Sequence, residues 1–240
     1  MSLSEIISDS VKYPFSDITK FFIVGVFVFL AGLSNAFSAF FQMDNAVIIG
    51  IAAIIALIFS LIVSGYNLKV VKNAIDHSSA LPDFDFAGDL VNGIRVLIIS
   101  IVYFIIPFII IFLIAGVSIF TGSVFNNVAA GSGVALIIGF IIAFIFAIFQ
   151  IVAMARFANT GEMGAAFQLG EVFSDVKQIG IGSIIGFLIV SVVIVIIAFV
   201  ITGIIAMIPI IGLIIASIIL GAFVTLFVNR GIGLLYSKVA

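Results

Sequence analysis

Residues 69–95 read KVVKNAIDHSSALPDFDFAGDLVNGIR, a polar interruption in an otherwise apolar chain of 240 residues. The stretch holds three of the nine Lys and Arg residues, four of the eleven acids and the single histidine. Other polar segments occupy residues 1–20 and 156–182, and long apolar runs come in pairs between them. A helix needs about 20 apolar residues to cross a hydrocarbon core of about 30 Å. Six runs have that length: 21–42, 46–68, 96–120, 134–157, 183–206 and 210–229. The layout is a polar segment followed by two spans, three times over.

Composition agrees. Hydrophobic residues make up 65% of the chain and charged residues 8%, and the mean hydropathy is +1.52. So few charges cannot cover a soluble core of this size, and lipid is the solvent that suits such a surface. A net charge of −2 argues against nucleic acid as a partner. The chain has no cysteine, which excludes disulfides, thiolate metal sites and a cysteine nucleophile. Tryptophan is absent too. An interfacial aromatic belt would therefore fall to the tyrosines, and Tyr13, Tyr66 and Tyr236 lie near expected span ends.

With six spans, residues 1–20, 69–95 and 156–182 and the C-terminus share one side, and all nine Lys and Arg residues fall there. The only charge on the other side is Asp44. The positive-inside rule then predicts a cell-membrane protein with both termini cytoplasmic. The opposite connections, 42–45, 121–133 and the turn at Pro209, are short. Pro209 and Gly212 divide what would otherwise be one helix about twice the membrane thickness, as a full hairpin or as a re-entrant pair. Residues 1–20 carry Glu5, Asp9 and Asp17 ahead of the apolar run, which does not suit a signal peptide.

The polar segments have helical periodicity. Ser2 and Glu5 have capping-box spacing, Leu3, Ile6, Ile7 and Val11 share a face, and Pro14 is expected to turn the chain into the bilayer. In 165–180, Leu169, Val172, Phe173, Val176 and Ile179 oppose Gln168, Glu171, Asp175 and Gln178. In 84–97, Phe86, Leu90, Ile94 and Leu97 keep the same spacing, with Asp83 or Asp85 as N-cap. Each is expected to be a cytoplasmic amphipathic helix lying in the interface before the next span. Their mixed charge argues against recognition of specific anionic lipids. The expected fold is an all-α integral membrane protein: one embedded domain, residues 1–240, of six transmembrane helices in three hairpins. Approximate units 1–68, 69–157 and 158–240 suggest a pseudo-threefold repeat. Stripes of small residues, such as Ala52, Ala56, Ser60 and Ser64 or Gly139, Ala143 and Ala147, are expected to pack the helices against one another.

Tyr13-Pro14-Phe15 precedes the first span and Gly65-Tyr66 ends the second. Leu81-Pro82-Asp83-Phe84 opens the next segment, and Gly164-Ala165-Ala166-Phe167 follows the fourth span. With the threefold layout, these motifs resemble the largely archaeal membrane protein family known as domain of unknown function 4013. The resemblance covers nearly the whole chain. It implies an integral membrane protein and supports the span count, but brings no activity and no site residues.

No Asp, Glu, Lys, Arg or His falls in the interior of an expected span, which argues against proton pumps and ion-coupled transporters. The polar side chains expected to be buried within the spans are Asn35, Ser38, Tyr103 and Gln150. Helix-to-helix hydrogen bonding is their ordinary role; Asn35, Tyr103 and Gln150 are also the candidate polar lining of a membrane cavity. Pro107 in the third span reads as a kink. Asp76, His77, Asp83, Asp85 and Asp89 match no metal loop, and capping explains them as well. No nucleophile and base stand together. No cofactor, metal or catalytic residue is therefore assigned, and an enzyme is not expected. The favoured function is a non-enzymatic membrane scaffold or accessory subunit, whose partners are membrane lipids and another membrane protein. The alternative is a transporter or channel for a small neutral or lipidic solute.

Overall fold

The computed structural model describes residues 1–34, 46–120, 128–208 and 211–240. Every regular element among them is helical. Helix α1, Leu3–Lys12, begins at the expected capping box: Ser2 Oγ accepts from the Glu5 N–H, and the Glu5 carboxylate accepts from the Ser2 N–H at 2.7 Å. Pro14 sits in the 3-10 turn Tyr13–Ser16 that follows. Helix α2, Ile18–Ala31, is capped by Asp17, whose Oδ1 accepts from the Lys20 N–H at 3.0 Å. The chain bends by 92° between residues 3–16 and 18–31; the hinge is the extended Asp17, three residues beyond Pro14, which itself stays within the helical segment.

Helix α3 runs Ala46–Ile75, α4 Phe86–Phe120 and α5 Val128–Thr160. A 3-10 turn, Met163–Phe167, leads into α6, Leu169–Ile179, and α7, Ile181–Ile205. Helix α8, Ile211–Ala216, passes through a π-helical turn, Ser217–Gly221, into α9, Ala222–Tyr236. Among the described residues, five helices are long and apolar enough to cross a membrane, and six if the right-angled pair 3–16 and 18–31 forms one span. Their outer faces carry bare large side chains, including Phe140 at 73% and Phe199 at 78% exposure. A surface of this kind suits hydrocarbon and not water.

Two expectations change here. Residues 84–97 are not a separate interfacial helix, because α4 runs unbroken from Phe86 into its apolar part. Asp85 is the N-cap, accepting from the Gly88 N–H at 3.1 Å, and nothing after it breaks the helix. The apolar face read from this segment points outward: Phe86, Ile94 and Leu97 are exposed while Asp89 and Gly93 are buried. Helix α3 likewise outruns its expected end at 68. Bilayer thickness sets the least apolar length, not the point where hydrogen bonding stops. The stop is a Schellman turn, in which the Ser78 N–H reaches the Asn73 carbonyl and the His77 N–H the Ala74 carbonyl. His77, at φ 55°, is its left-handed residue.

The buried side chains gather toward the charged end. The larger core cluster includes Ile6, Val71, Ile99, Val152, Phe157, Val172, Phe187 and Phe227, and the smaller includes Phe21, Val24, Val70, Leu81 and Leu226. Helices α3, α5 and α9 touch one another. Helix α2 packs on α3 and on the π-helical turn, and α4 packs on α3 and α5. The tightest crossing joins α3 to α4. A Cβ on Gly65 would overlap the Asp89 carbonyl, and one on Gly93 would overlap the Leu61 carbonyl. Since Leu61 and Gly65 are four apart, as are Asp89 and Gly93, each backbone seats its glycine on the other.

Candidate functional site

Where the charged segments meet, residues 76–85 form a strap between α3 and α4, held by side chains from four elements. The Tyr13 hydroxyl and the Asn73 amide donate to the Ala80 carbonyl at 3.2 and 3.1 Å. Lys20 Nζ donates to the Leu81 carbonyl at 2.9 Å and to Asp83 Oδ1 at 2.7 Å. The Tyr66 hydroxyl reaches the Pro82 carbonyl at 3.2 Å, and Lys69 Nζ the Asp83 carbonyl at 2.6 Å. Arg230 donates through Nη1 to the Ser78 carbonyl and through Nε to Asp9 Oδ1 at 2.6 Å, with its guanidinium 4.5 Å from the Tyr13 ring centre. An irregular segment has no partners of its own for these carbonyls, so side chains supply them. Leu81 and Pro82 are buried beneath.

The acidic cluster is thereby accounted for. Asp83 pairs with Lys20, buried Asp89 with Lys69 at 2.7 Å, and Asp76 with Lys72 at 3.0 Å, while Asp85 caps α4 and His77 terminates α3. The Lys20 ammonium holds the Asp83 carboxyl below the usual carboxylate range, first by hydrogen bonding and then by its charge.

A second network ties α5, α6 and α9. Asp175 Oδ2 accepts from Arg156 Nη1 and from the Tyr236 hydroxyl, both at 2.9 Å, and Arg156 Nη2 donates to Gln168 Oε1 at 3.2 Å. Asp175 was expected on the wet face of its segment. It is buried instead, because α6 lies against α5, α7 and α9 and not on an open surface. The apolar face expected there is divided: Val172, Val176 and Ile179 point into the core, whereas Leu169 and Phe173 stay exposed. In α1, similarly, Ile6 is fully buried and Leu3 and Ile7 pack on the core.

The tyrosines also require a correction. Tyr13, Tyr66, Tyr103 and Tyr236 are each at most 4% exposed, so they form no belt against lipid. All four hydroxyls bond the polar connecting segments, Tyr103 through the Ala166 carbonyl at 2.7 Å. Burial pushes the Tyr13 phenol up to about 12, with Arg230 opposing. The unfolded chain ionises near 10, so this contribution to stability is complete below about pH 10 and is lost as pH rises toward 12. Tyr13→Phe should flatten the alkaline fall in melting temperature over that window. A slope equal to the wild type's would remove Tyr13 from the account.

Asn35, with Ser38, the 42–45 connection and Pro209, lies outside the described residues. Tyr103 and Gln150 come together on one cleft of about 240 Å³ between α4 and α5, walled by Pro107, Ile111, Ala143 and Phe146. Gln150 Nε2 donates to Ser100 Oγ on α4 at 3.1 Å. Removing the Tyr103 hydroxyl strands the Ala166 carbonyl, so Tyr103→Phe should cost about 1 kcal/mol in a denaturant titration in mixed micelles. No loss would mean that the bond is not formed. A larger cleft, about 490 Å³, opens on the other side of the α4–α5 contact toward α6, between Val102, Ile106, Ile145, Phe149, Leu169 and Phe173. Sequence reading missed this cleft, because apart from Tyr103 its walls are ordinary apolar residues, drawn from α4, α5, the 3-10 turn and α6.

A helical bundle with bare apolar flanks and one cross-tied polar end defines a multi-pass membrane protein. More narrowly, the chain belongs to the family described as protein of unknown function DUF4013, whose model matches residues 48–210. It is similar to an uncharacterised protein of Methanocaldococcus jannaschii, 26% identical over 224 residues that cover 81% of this chain and 75% of that relative. No solved structure matches it.

Proposed function

We propose that this protein is a non-enzymatic scaffold or accessory subunit of the cell membrane, acting through its lateral, lipid-facing surface. The observation that carries this reading is the inward turn of its polar groups. The strap carbonyls take donors from Tyr13, Lys20, Tyr66, Lys69 and Arg230, and the Tyr103 hydroxyl and the Gln150 amide are engaged as well. Polar chemistry here holds shape, and what remains outward along the spans is apolar. Six spans form three hairpins with both termini cytoplasmic, supported by the gathering of the basic residues at one end. Units 1–68, 69–157 and 158–240 repeat about a pseudo-threefold axis. The second helices α3, α5 and α9 form the inner ring, and α1, the start of α4 and α6 each lie on the preceding unit's inner helix. In this arrangement α1 and α6 are the cytoplasmic interfacial helices.

Extraction from native membranes into lipid nanodiscs, followed by mass spectrometry, tests the reading. A stoichiometric membrane-protein partner is the expected result. Solute flux in proteoliposomes, with no retained partner, would overturn it. The meeting of Tyr103 and Gln150 on one cleft favours a second reading, transport of a small neutral or lipidic solute. That reading expects flux that falls in Gln150→Leu, and unchanged flux would remove Gln150 from it.

A further inference from the structure

We infer that the larger cleft is a binding site for one hydrocarbon chain of an anionic glycerophospholipid whose phosphate is held at Lys177. The inference rests on the chain's being embedded in a membrane and not on the scaffold role. The cleft's volume, about 490 Å³, lies in the range of small-molecule pockets. Its walls are apolar, and the one hydroxyl on them, that of Tyr103, is already donated to the Ala166 carbonyl. An occupant therefore offers hydrocarbon to the interior. Val102, Ile106 and Ile145 at its mouth are exposed on spans whose surroundings are lipid, so the entry is lateral.

The rim supplies the charge. Phe173 stacks on Phe149 with ring centres 6.0 Å apart, joining α6 to the cleft wall. One turn further along α6, the Lys177 ammonium lies 4.3 Å from the centre of the Phe173 ring. As sequence, α6 reads as mixed in charge, with Glu171, Asp175 and Lys177. The fold changes that balance: Asp175 is buried against Arg156 and Tyr236, and Glu171 faces Arg156 at 3.6 Å. Lys177 has no carboxylate partner among the described residues. It thus stands at the polar end of an apolar cleft, the disposition that complements a phosphate above a lipid chain. A lysine near the surface of an anionic membrane contributes about 1 kcal/mol, roughly a fivefold preference.

The test uses the intact protein in nanodiscs of mixed phosphatidylglycerol and phosphatidylcholine, with one lipid at a time carrying a photoreactive diazirine in its chain. Phosphatidylglycerol label should concentrate on peptides containing Val102–Ile106 and Ile145–Phe149, and excess unlabelled phosphatidylglycerol should displace it. Ile106→Trp should fill the cleft and cut this labelling about fivefold. Lys177→Gln should abolish the preference over phosphatidylcholine. Label spread evenly to the outer face of α7 at Ile196 and Phe199, or label that the competitor leaves in place in the wild-type protein, overturns the site. Equal labelling by the two lipids overturns the role of Lys177. The scaffold reading fails separately, by flux without a retained partner, whatever the labelling shows.

Discussion

Gly65→Leu and Gly93→Leu will each destabilise the protein by about 3 kcal/mol, and together by little more than either alone. Both substitutions strike one crossing. A side chain at Gly65 meets the Asp89 carbonyl, and one at Gly93 meets the Leu61 carbonyl. Backbone cannot step aside as the tip of a long side chain can, so α3 and α4 must separate. Once they have, the second leucine finds the space already opened, and the costs fail to add. The same separation draws Lys69 from Asp89 and loosens both ends of the strap. Gly50 provides the control: it lies in α3 with nothing within 4 Å of a built Cβ, and Gly50→Leu should change stability by less than about 0.5 kcal/mol. Denaturant titration in mixed micelles checks all four variants. Fully additive losses at Gly65 and Gly93 would mean that the two sites act independently and share no contact.

Asp9→Leu will cost about 3 kcal/mol, and roughly twice as much as Arg230→Met, although both break the same ion pair. The asymmetry follows from burial. The Arg230 side chain is 3% exposed and that of Asp9 37%. Without Asp9 the guanidinium remains buried with no counter-charge, the arrangement that makes a broken buried pair expensive. Without Arg230, Asp9 still reaches water, and the main losses are the Ser78 carbonyl's donor and the stacking on Tyr13. The double variant should recover about 2 kcal/mol of the summed losses. Equal single effects with no coupling would show that the pair linking α1 to α9 contributes nothing to the fold. The alkaline behaviour of Tyr13 is a related readout, since its ring lies under the same guanidinium.

Helical class and membrane character were legible in the sequence because both rest on local quantities. An unbroken apolar run is committed to lipid wherever its neighbours lie, and within lipid its backbone must bond to itself. Caps were legible for the same reason: Ser2, and Asp85 as one of two candidates, act on groups within a few residues, whereas the cap at Asp17 was not read. The long apolar runs likewise needed no coordinates. Of the candidate cavity residues, Tyr103 and Gln150 do meet, yet their partners could not be read, since Ala166 and Ser100 lie far along the chain or on another helix.

Tertiary structure decided what faces what. The periodicity of 165–180 marked an apolar face but could not tell core from lipid, so it placed Asp175 in water when Arg156 and Tyr236 enclose it. It also gave Leu169 and Phe173 the same role as Val172. The tyrosines looked like an interfacial belt because position along the chain reports depth in the membrane, not direction around a helix. Glycines made the tightest crossing, at Gly65 and Gly93, and not the small-residue stripes; Ser60 in one such stripe is exposed. A glycine's importance depends on whether another backbone arrives there, which one chain segment does not encode. The lone histidine and the acids around it, read as matching no metal loop, form a helix stop, a cap and ion pairs. Hydrogen-bond partners, burial and clefts are properties of pairs of segments, and they arise only when the segments pack.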